Sequence, residues 1–283
     1  MAVVDAHQHF WDPQQVAYPW LEPYYPELNR RIGFEDLAPL LAANGVDATV
    51  LVQSADDERD DDSMFAIASE HQEIAGVVAW VPLDDVARAD AMLTRFAATG
   101  RLVGVRTLIH NQSDPDWIVQ QSQREGLALL ERLALPFDLV AVLPRHLEHV
   151  PTLCERHPDL RIVIDHLAKP PIGSALGAWA TRLAAAASSP NVYAKVSGLY
   201  PAAGDRAPWS VDDLRPAFEH ALEIFGPRRL MFGSDWPICE VAGGYGAVAS
   251  ALFGLIDELD VAAQAAVRGG TALEFYGIGP TRD

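Results

Sequence analysis

Cysteine is nearly absent: Cys154 and Cys239 are the only two in 283 residues. Two thiols in a chain this long make no disulfide framework, and reduced cysteines in a cytoplasmic protein are the expectation. Cys239 follows Asp235 closely, which leaves a site-lining role open. Basic residues are scarce as well, with Lys+Arg at 21 against 39 Asp+Glu and a formal charge of −18. Nucleic-acid binding needs a basic footprint, and none is visible. The longest charge run, Asp56 to Asp62, is predominantly acidic. An acidic surface favours solubility and repels polyanions, but a pocket with its own arginine can still take a small anion. No apolar run approaches the ~20 residues of a membrane helix. Met1 leads straight into Val3, Val4, Asp5 and His7, with no leader-like segment. The expected partner is a small molecule, with neither nucleic acid nor membrane, for a chain that is a monomer or a homodimer.

What is present is a repeating alternation. Short β-branched runs predict strands at Val3 to His7, Ala48 to Gln53, Gly76 to Val81, Leu102 to Ile109, Phe137 to Val142, Arg161 to His166, Val192 to Ser197 and Arg229 to Asp235. Several are almost continuously apolar, as parallel strands buried on both faces are. Helical periodicity fills the intervals, for example Phe34, Leu37, Leu40 and Leu41, or Leu214, Phe218, Ala221 and Leu222. Breakers such as Asn44-Gly45, Pro136 and Gly226-Pro227 separate the units. Eight strands alternating with helices predict one closed (β/α)8 TIM barrel across residues 1–283. The competing open sheet lacks its Gly-rich first turn, because His7-Gln8-His9-Phe10 stands there. A long segment at about 11–32, rich in proline and aromatics, follows the first strand and is placed over the barrel mouth.

Strand ends at that mouth are where chemistry is expected. His7 and His9 sit two apart at the end of the first strand, so both imidazoles face one way and suit one metal or one oxyanion. Asp235 ends the eighth strand, which neighbours the first in a closed barrel. It is read as a metal ligand and proton acceptor, with a capping role as the alternative. His166, ending the sixth strand, is a third imidazole, for metal, carbonyl or leaving group, or else a structural histidine. Arg106 and His110 share a facing on the fourth strand and its exit. Arg106 suits a substrate oxygen or a structural salt bridge. Lys195, inside an apolar strand, needs a partner and is read as an internal ion pair. Asp165 faces the other way from His166 and is taken as structural. Gln53 is a modest pocket candidate. His71, His146, His149, His157 and His220 are read as surface or packing residues.

The motifs VVDAHQHFWDP, GVR, DHLAKP, NVYAKVSGL and MFGSDWP, with the tail GGTALEFYGI, together resemble the amidohydrolase superfamily. The likeness is to its sugar-lactonase branch, which includes L-fuconolactonase-like and L-rhamnonolactonase-like proteins and a pyrone-dicarboxylate lactonase. The resemblance implies hydrolysis of a cyclic ester, such as L-fuconolactone, and carries site roles onto His7, His9, His166 and Asp235. Two departures matter. Dinuclear members place a bridging Lys or Glu at the end of strand 4, where this chain offers Arg106 and His110, and a histidine at the end of strand 5, which here has none. One divalent ion, zinc, or no metal at all is therefore the expectation. Asp235 is expected to act as general base, with Trp20, Trp236, Tyr200 and Gln53 lining a sugar pocket. The rival readings are a mononuclear zinc decarboxylase leaning on Arg106, and a barrel that only binds a small molecule.

Overall fold

The computed structural model describes residues 2–200 and 208–279. Eight strands run in parallel, each paired with the next: β1 (Val4–Gln8), β2 (Ala48–Val52), β3 (Ile74–Ala79), β4 (Leu102–Thr107), β5 (Phe137–Leu139), β6 (Ile162–Ile164), β7 (Val192–Val196) and β8 (Leu230–Phe232). The ends meet through a parallel bridge between Gln8 and Trp236. Asp235 N–H donates to the His7 carbonyl at 2.9 Å, and His9 N–H donates to the Trp236 carbonyl at 2.8 Å. The sheet is thus a (β/α)8 barrel whose closing hydrogen bonds join the two segments that carry His7, His9 and Asp235.

The helix layer follows from amphipathic spacing. In Val86–Ala97, Ala89, Met92, Leu93 and Phe96 are buried, and Asp85 caps the start by accepting from Arg88 N–H at 3.1 Å. In Val211–Phe225 the buried stripe is Leu214, Ala217, Phe218, Ala221 and Phe225. Inside the barrel, Val4, Ala6, Val50, Val52, Val78, Val163 and Met231 form a separate cluster with Phe275 and Tyr276 of the last helix, Thr271–Tyr276. The tail motif therefore closes the bottom of the barrel.

The strands are shorter at their C-terminal ends than predicted: β6 stops at Ile164 and β8 at Phe232. His166 and Asp235 lie on the turns beyond, where period-two alternation no longer sets their direction. The β1 pairing also slips, because Asp5 opposes Thr49 but Gln8 opposes Leu51, so three residues of β1 advance against two of β2. Asp5 faces the helix layer, accepting from Tyr245 OH at 3.0 Å and Ser234 N–H at 2.9 Å. Regular alternation would send His7 after it; the bulge turns His7 inward.

The acidic run is not a solvated face. Asp60 and Asp61 are buried. Asp60 accepts from Tyr18 OH (2.6 Å), Ser54 N–H (2.7 Å) and Ala55 N–H (3.1 Å), while Asp61 accepts from Trp80 N–H (2.8 Å). Burial pushes the Asp60 carboxyl up to about 6. Its bond to Tyr18 ties down the segment after β1. The ends of that segment are hydrogen-bonded to each other, Trp11 to Ile32, at 3.1 and 2.9 Å. No helix among the described residues is long and apolar enough to cross a membrane.

Close packing makes one helix position testable. A Cβ on Gly126, in the helix Gln121–Arg132, would lie 2.7 Å from the Leu83 Cα and closer still to its carbonyl oxygen. These are backbone atoms that cannot swing aside. Gly126→Ala, which ordinarily favours a helix, is expected to destabilise the protein by about 1–3 kcal/mol, seen as a lower midpoint in a thermal melt.

Candidate active site

Three imidazoles and one carboxylate converge at the C-terminal mouth. Asp235 Oδ1 lies 3.9 Å from His7 Nε2, 3.7 Å from His9 Nε2 and 3.7 Å from His166 Nε2. The two Nε2 atoms of His7 and His9 are 3.1 Å apart. Both turns that bring these groups together use left-handed backbone. Asp235 has φ 59°, and His166, Leu167, Ala168 and Lys169 follow one another at 55°, 49°, 56° and 52°. Left-handed helical backbone costs an L-residue roughly 1–2 kcal/mol. The turn is braced by Lys169 N–H donating to the His166 carbonyl at 2.9 Å and by Trp179 Nε1–H donating to the Leu167 carbonyl at 2.8 Å.

Each catalytic candidate is fixed by a second partner. His9 Nδ1 donates to the Val52 carbonyl at 2.7 Å. His166 Nδ1 meets Ser197 Oγ at 2.9 Å. Asp235 Oδ2 accepts from Tyr200 OH at 2.7 Å and has Lys169 Nζ at 3.9 Å, which leaves Oδ1 turned toward the imidazoles. Burial holds the histidines neutral. It drives His7 well below the usual imidazole range, with the Lys195 charge adding to the effect, and takes His166 down to about 3. Burial alone would raise Asp235, but its histidine neighbours and Lys169 outweigh it and hold the carboxyl well below its usual value. Neutral imidazoles around an ionised carboxylate form a donor set of the kind a divalent cation requires, provided each facing Nε2 presents its lone pair. His7, His166 and Asp235 offer ligand atoms within 4.8 Å of one another, and the 3.1 Å Nε2 separation matches the roughly 3.3 Å edge of a tetrahedron with 2.0–2.1 Å bonds.

Below the mouth lies a charge cluster. Lys195 Nζ is 2.6 Å from Asp138 Oδ2, 3.1 Å from Asp165 Oδ1 and 3.0 Å from His7 Nδ1, with all these groups fully buried. The internal ion pair expected of Lys195 is there. Asp165 is not turned away as alternation predicted, because β6 has already ended. Its Oδ1 is 3.2 Å from His7 Nδ1, and its Oδ2 accepts from Arg106 Nη1 at 3.0 Å. Arg106 is correspondingly no free substrate binder. It is 4% exposed and also donates to the Gln53 carbonyl. Tyr276 OH reaches Asp138 Oδ2 from below at 2.8 Å.

The remaining pocket candidates divide. His110 is half-buried, its Nδ1 has no hydrogen-bond partner among the described residues, and burial reinforced by Arg106 lowers it to about 4. Trp20 is half-buried and donates to the Ser54 carbonyl at 3.1 Å. Gln53 is buried with Oε1 unpartnered. Trp236 is 2% exposed and packs edge-on to Phe10, so it belongs to the layer beneath the mouth. Tyr200 contacts Asp235 rather than presenting a stacking face. Cys239 is buried and Cys154 partly so, both as free thiols. The second tier that sequence reasoning missed comprises Asp138, Ser197 and Lys169, joined by Asp165, which was read as structural but facing the other way. The buried charges among β-branched neighbours were the one available signal.

The sequence profile of the amidohydrolase family matches residues 4–278. The chain belongs to this family. It is 37% identical to an L-fucono-1,5-lactonase of Burkholderia ambifaria, over 97% of this chain and 95% of that protein. It is 33% identical to another L-fucono-1,5-lactonase, from Burkholderia multivorans, over 97% and 96%. An amidohydrolase of Burkholderia multivorans solved with bound HEPES superposes with a TM-score of 0.91 at 31% identity, and in a crystal form with bound zinc with 0.86 at 30%, each match covering 99% of this chain and 100% of that one.

The charge cluster predicts an order of stabilities. Asp165→Asn leaves buried Arg106 without its carboxylate and is expected to cost about 3–5 kcal/mol. Asp235→Asn, whose cationic neighbour Lys169 is 38% exposed, should cost clearly less. Chemical denaturation of both variants checks the order; equal losses would remove Asp165 from the keystone position.

Proposed function

We propose that this chain is a lactonase that opens the cyclic ester of a small sugar lactone, an L-fucono-1,5-lactone type of substrate, in a single-domain cytoplasmic enzyme. The observation that carries the reading is Asp235 Oδ1 facing three imidazole nitrogens at 3.7–3.9 Å in the barrel mouth. The fuconolactonase relatives supply the substrate class. His7, His9, His166 and Asp235 would hold one divalent ion, zinc in this reading, which when bound supplies positive charge for a developing oxyanion and for activating water.

The chain's own groups have these tasks. Asp235, ionised at neutral pH, takes a proton through Oδ1 as a water oxygen bonds to the lactone carbonyl carbon. Tyr200 holds Oδ2 and so fixes the carboxylate plane. The tetrahedral intermediate collapses by breaking the ring C–O bond, and the proton on Asp235 passes to the leaving alkoxide. The product is a hydroxy acid, which releases its carboxyl proton to solvent. Lys169, exposed at the mouth with three N–H donors, is placed to donate to the carbonyl or the alkoxide. His110 and Trp20 offer a hydrogen bond and an aromatic face to sugar hydroxyls and ring. A decarboxylase would need Arg106 for a substrate carboxylate, and the two Nη groups of that buried guanidinium are engaged by Asp165 and Gln53.

Asp235→Asn should lower kcat/KM on L-fucono-1,5-lactone by roughly 10²–10⁴, while His220→Asn, whose ring meets Trp179 and the Ala180 carbonyl and none of the four proposed site residues, should change it less than about threefold. A folded Asp235→Asn protein of parental activity would end this mechanism. Metal analysis should give no more than one ion per chain, and two equivalents would refute the single-ion site.

A further inference from the structure

We propose that Lys195 is a positioning residue that selects the tautomer of His7, and that metal binding at the mouth requires this tautomer to reverse. The inference holds whichever lactone is the substrate.

Within 3.3 Å His7 has four polar neighbours among the described residues, two at each ring nitrogen, with the Asp235 carboxylate farther off at 3.9 Å from Nε2. At Nδ1 they are Lys195 Nζ (3.0 Å) and Asp165 Oδ1 (3.2 Å); at Nε2 they are His9 Nε2 (3.1 Å) and Arg106 Nη1 (3.3 Å). An ammonium only donates and a carboxylate only accepts, so each end pairs one donor with one acceptor. His9 is an acceptor at Nε2, because its Nδ1 proton is spent on the Val52 carbonyl. With an ammonium at Nδ1 and a guanidinium at Nε2, an imidazolium would turn an N–H toward a cation at each end, so His7 carries a single ring proton.

Two self-consistent arrangements follow. With the proton on Nε2, Lys195 donates to Nδ1 and Nε2–H donates to His9, which gives an unbroken chain from Lys195 through His7 and His9 to Val52. With the proton on Nδ1, that N–H donates to Asp165 and Arg106 donates to Nε2. The two shorter contacts, 3.0 and 3.1 Å, belong to the first arrangement, and the longer, 3.2 and 3.3 Å, to the second. The second also sets two nitrogen lone pairs against each other at 3.1 Å and aims Nδ1–H at an ammonium. Asp165 Oδ1 makes no well-directed hydrogen bond, in agreement with the first arrangement.

A cation held by His7 and His9 together needs both Nε2 lone pairs. The first arrangement withholds one of them. Binding must therefore move the His7 proton to Nδ1, with Asp165 Oδ1 waiting as its acceptor and Lys195 still donating to Asp138. Lys195 thus stabilises a metal-free site that is complete in itself and weakens metal binding by the hydrogen bonds it makes available to that state.

The test is long-range ¹H–¹⁵N NMR of histidine-labelled, metal-stripped, substrate-free enzyme, with His7 assigned by a His7→Gln spectrum. The expected result is the Nε2–H tautomer, converting to Nδ1–H with a metal-bound Nε2 on zinc addition. In the charge-neutral Lys195→Met/Asp138→Asn variant, metal-free His7 should already be Nδ1–H, and zinc measured by a competing chelator should bind roughly fivefold to tenfold more tightly, the equivalent of one hydrogen bond. Finding Nδ1–H in the metal-free parent enzyme overturns the proposal, and so does a folded variant with unchanged tautomer. Should the variant not fold, the parent spectrum alone decides. None of these readouts uses lactone turnover, so failure here is distinct from failure of the lactonase reading.

Discussion

The hydrogen bonds that close the barrel and the groups proposed for catalysis belong to the same few residues. Asp235 N–H donates to His7 and His9 N–H to Trp236. Residues from the two ends of a long chain are thereby held at backbone hydrogen-bond distance, and rotation of their side chains brings imidazole and carboxylate together. Loss of the seam would cost the fold its closure and the site its geometry at once. Asp5 secures the seam from outside by accepting Ser234 N–H and Tyr245 OH, although burial pushes its carboxyl up to about 6. The geometry gained at the mouth is set against that desolvation.

Beneath the seam the barrel axis is polar where small barrels are usually apolar. Two cations, Arg106 and Lys195, and two anions, Asp138 and Asp165, are stacked with no net charge, reached from below by Tyr276. Well-packed apolar residues would often stabilise such a position as much. Its use is directional, because an ammonium with three acceptors around it has no rotational freedom left, and the imidazole it touches is oriented and its proton placed. The last helix thereby connects to the mouth through the column Tyr276, Asp138, Lys195 and His7.

Most of the fold was legible because buried parallel strands write themselves as apolar runs, and all eight lie where such runs stand. The strand ends were not, since the motifs DHLAKP and FGSDWP continue an apolar run into turns whose left-handed backbone no alternation rule anticipates. That is why His166 and Asp235 were singled out by residue type and order alone, while the direction of Asp165 was misjudged. His7 and His9 read as a same-facing pair, yet it is a bulge that turns His7 inward. Arg106 was ambiguous for a physical reason: guanidinium geometry suits an internal carboxylate as well as a ligand's. Asp60 looked like surface because the acidic run carries no sign of the backbone N–H groups that it caps.

The segment after β1 leaves the barrel and returns to it at one place, with Trp11 and Ile32 hydrogen-bonded across the neck. What lies between is seated on the barrel by buried Val16, Tyr18, Leu21 and Leu28 and by the Tyr18–Asp60 and Trp20–Ser54 hydrogen bonds. Lengthening a closed loop costs little, each doubling adding only about 0.6 kcal/mol. Tyr24, 56% exposed near the crest of this segment, can change identity without disturbing the histidines at its root. The segment is thus an anchored base with a free crest, and changes of sequence at that crest leave the histidine geometry and the barrel closure in place.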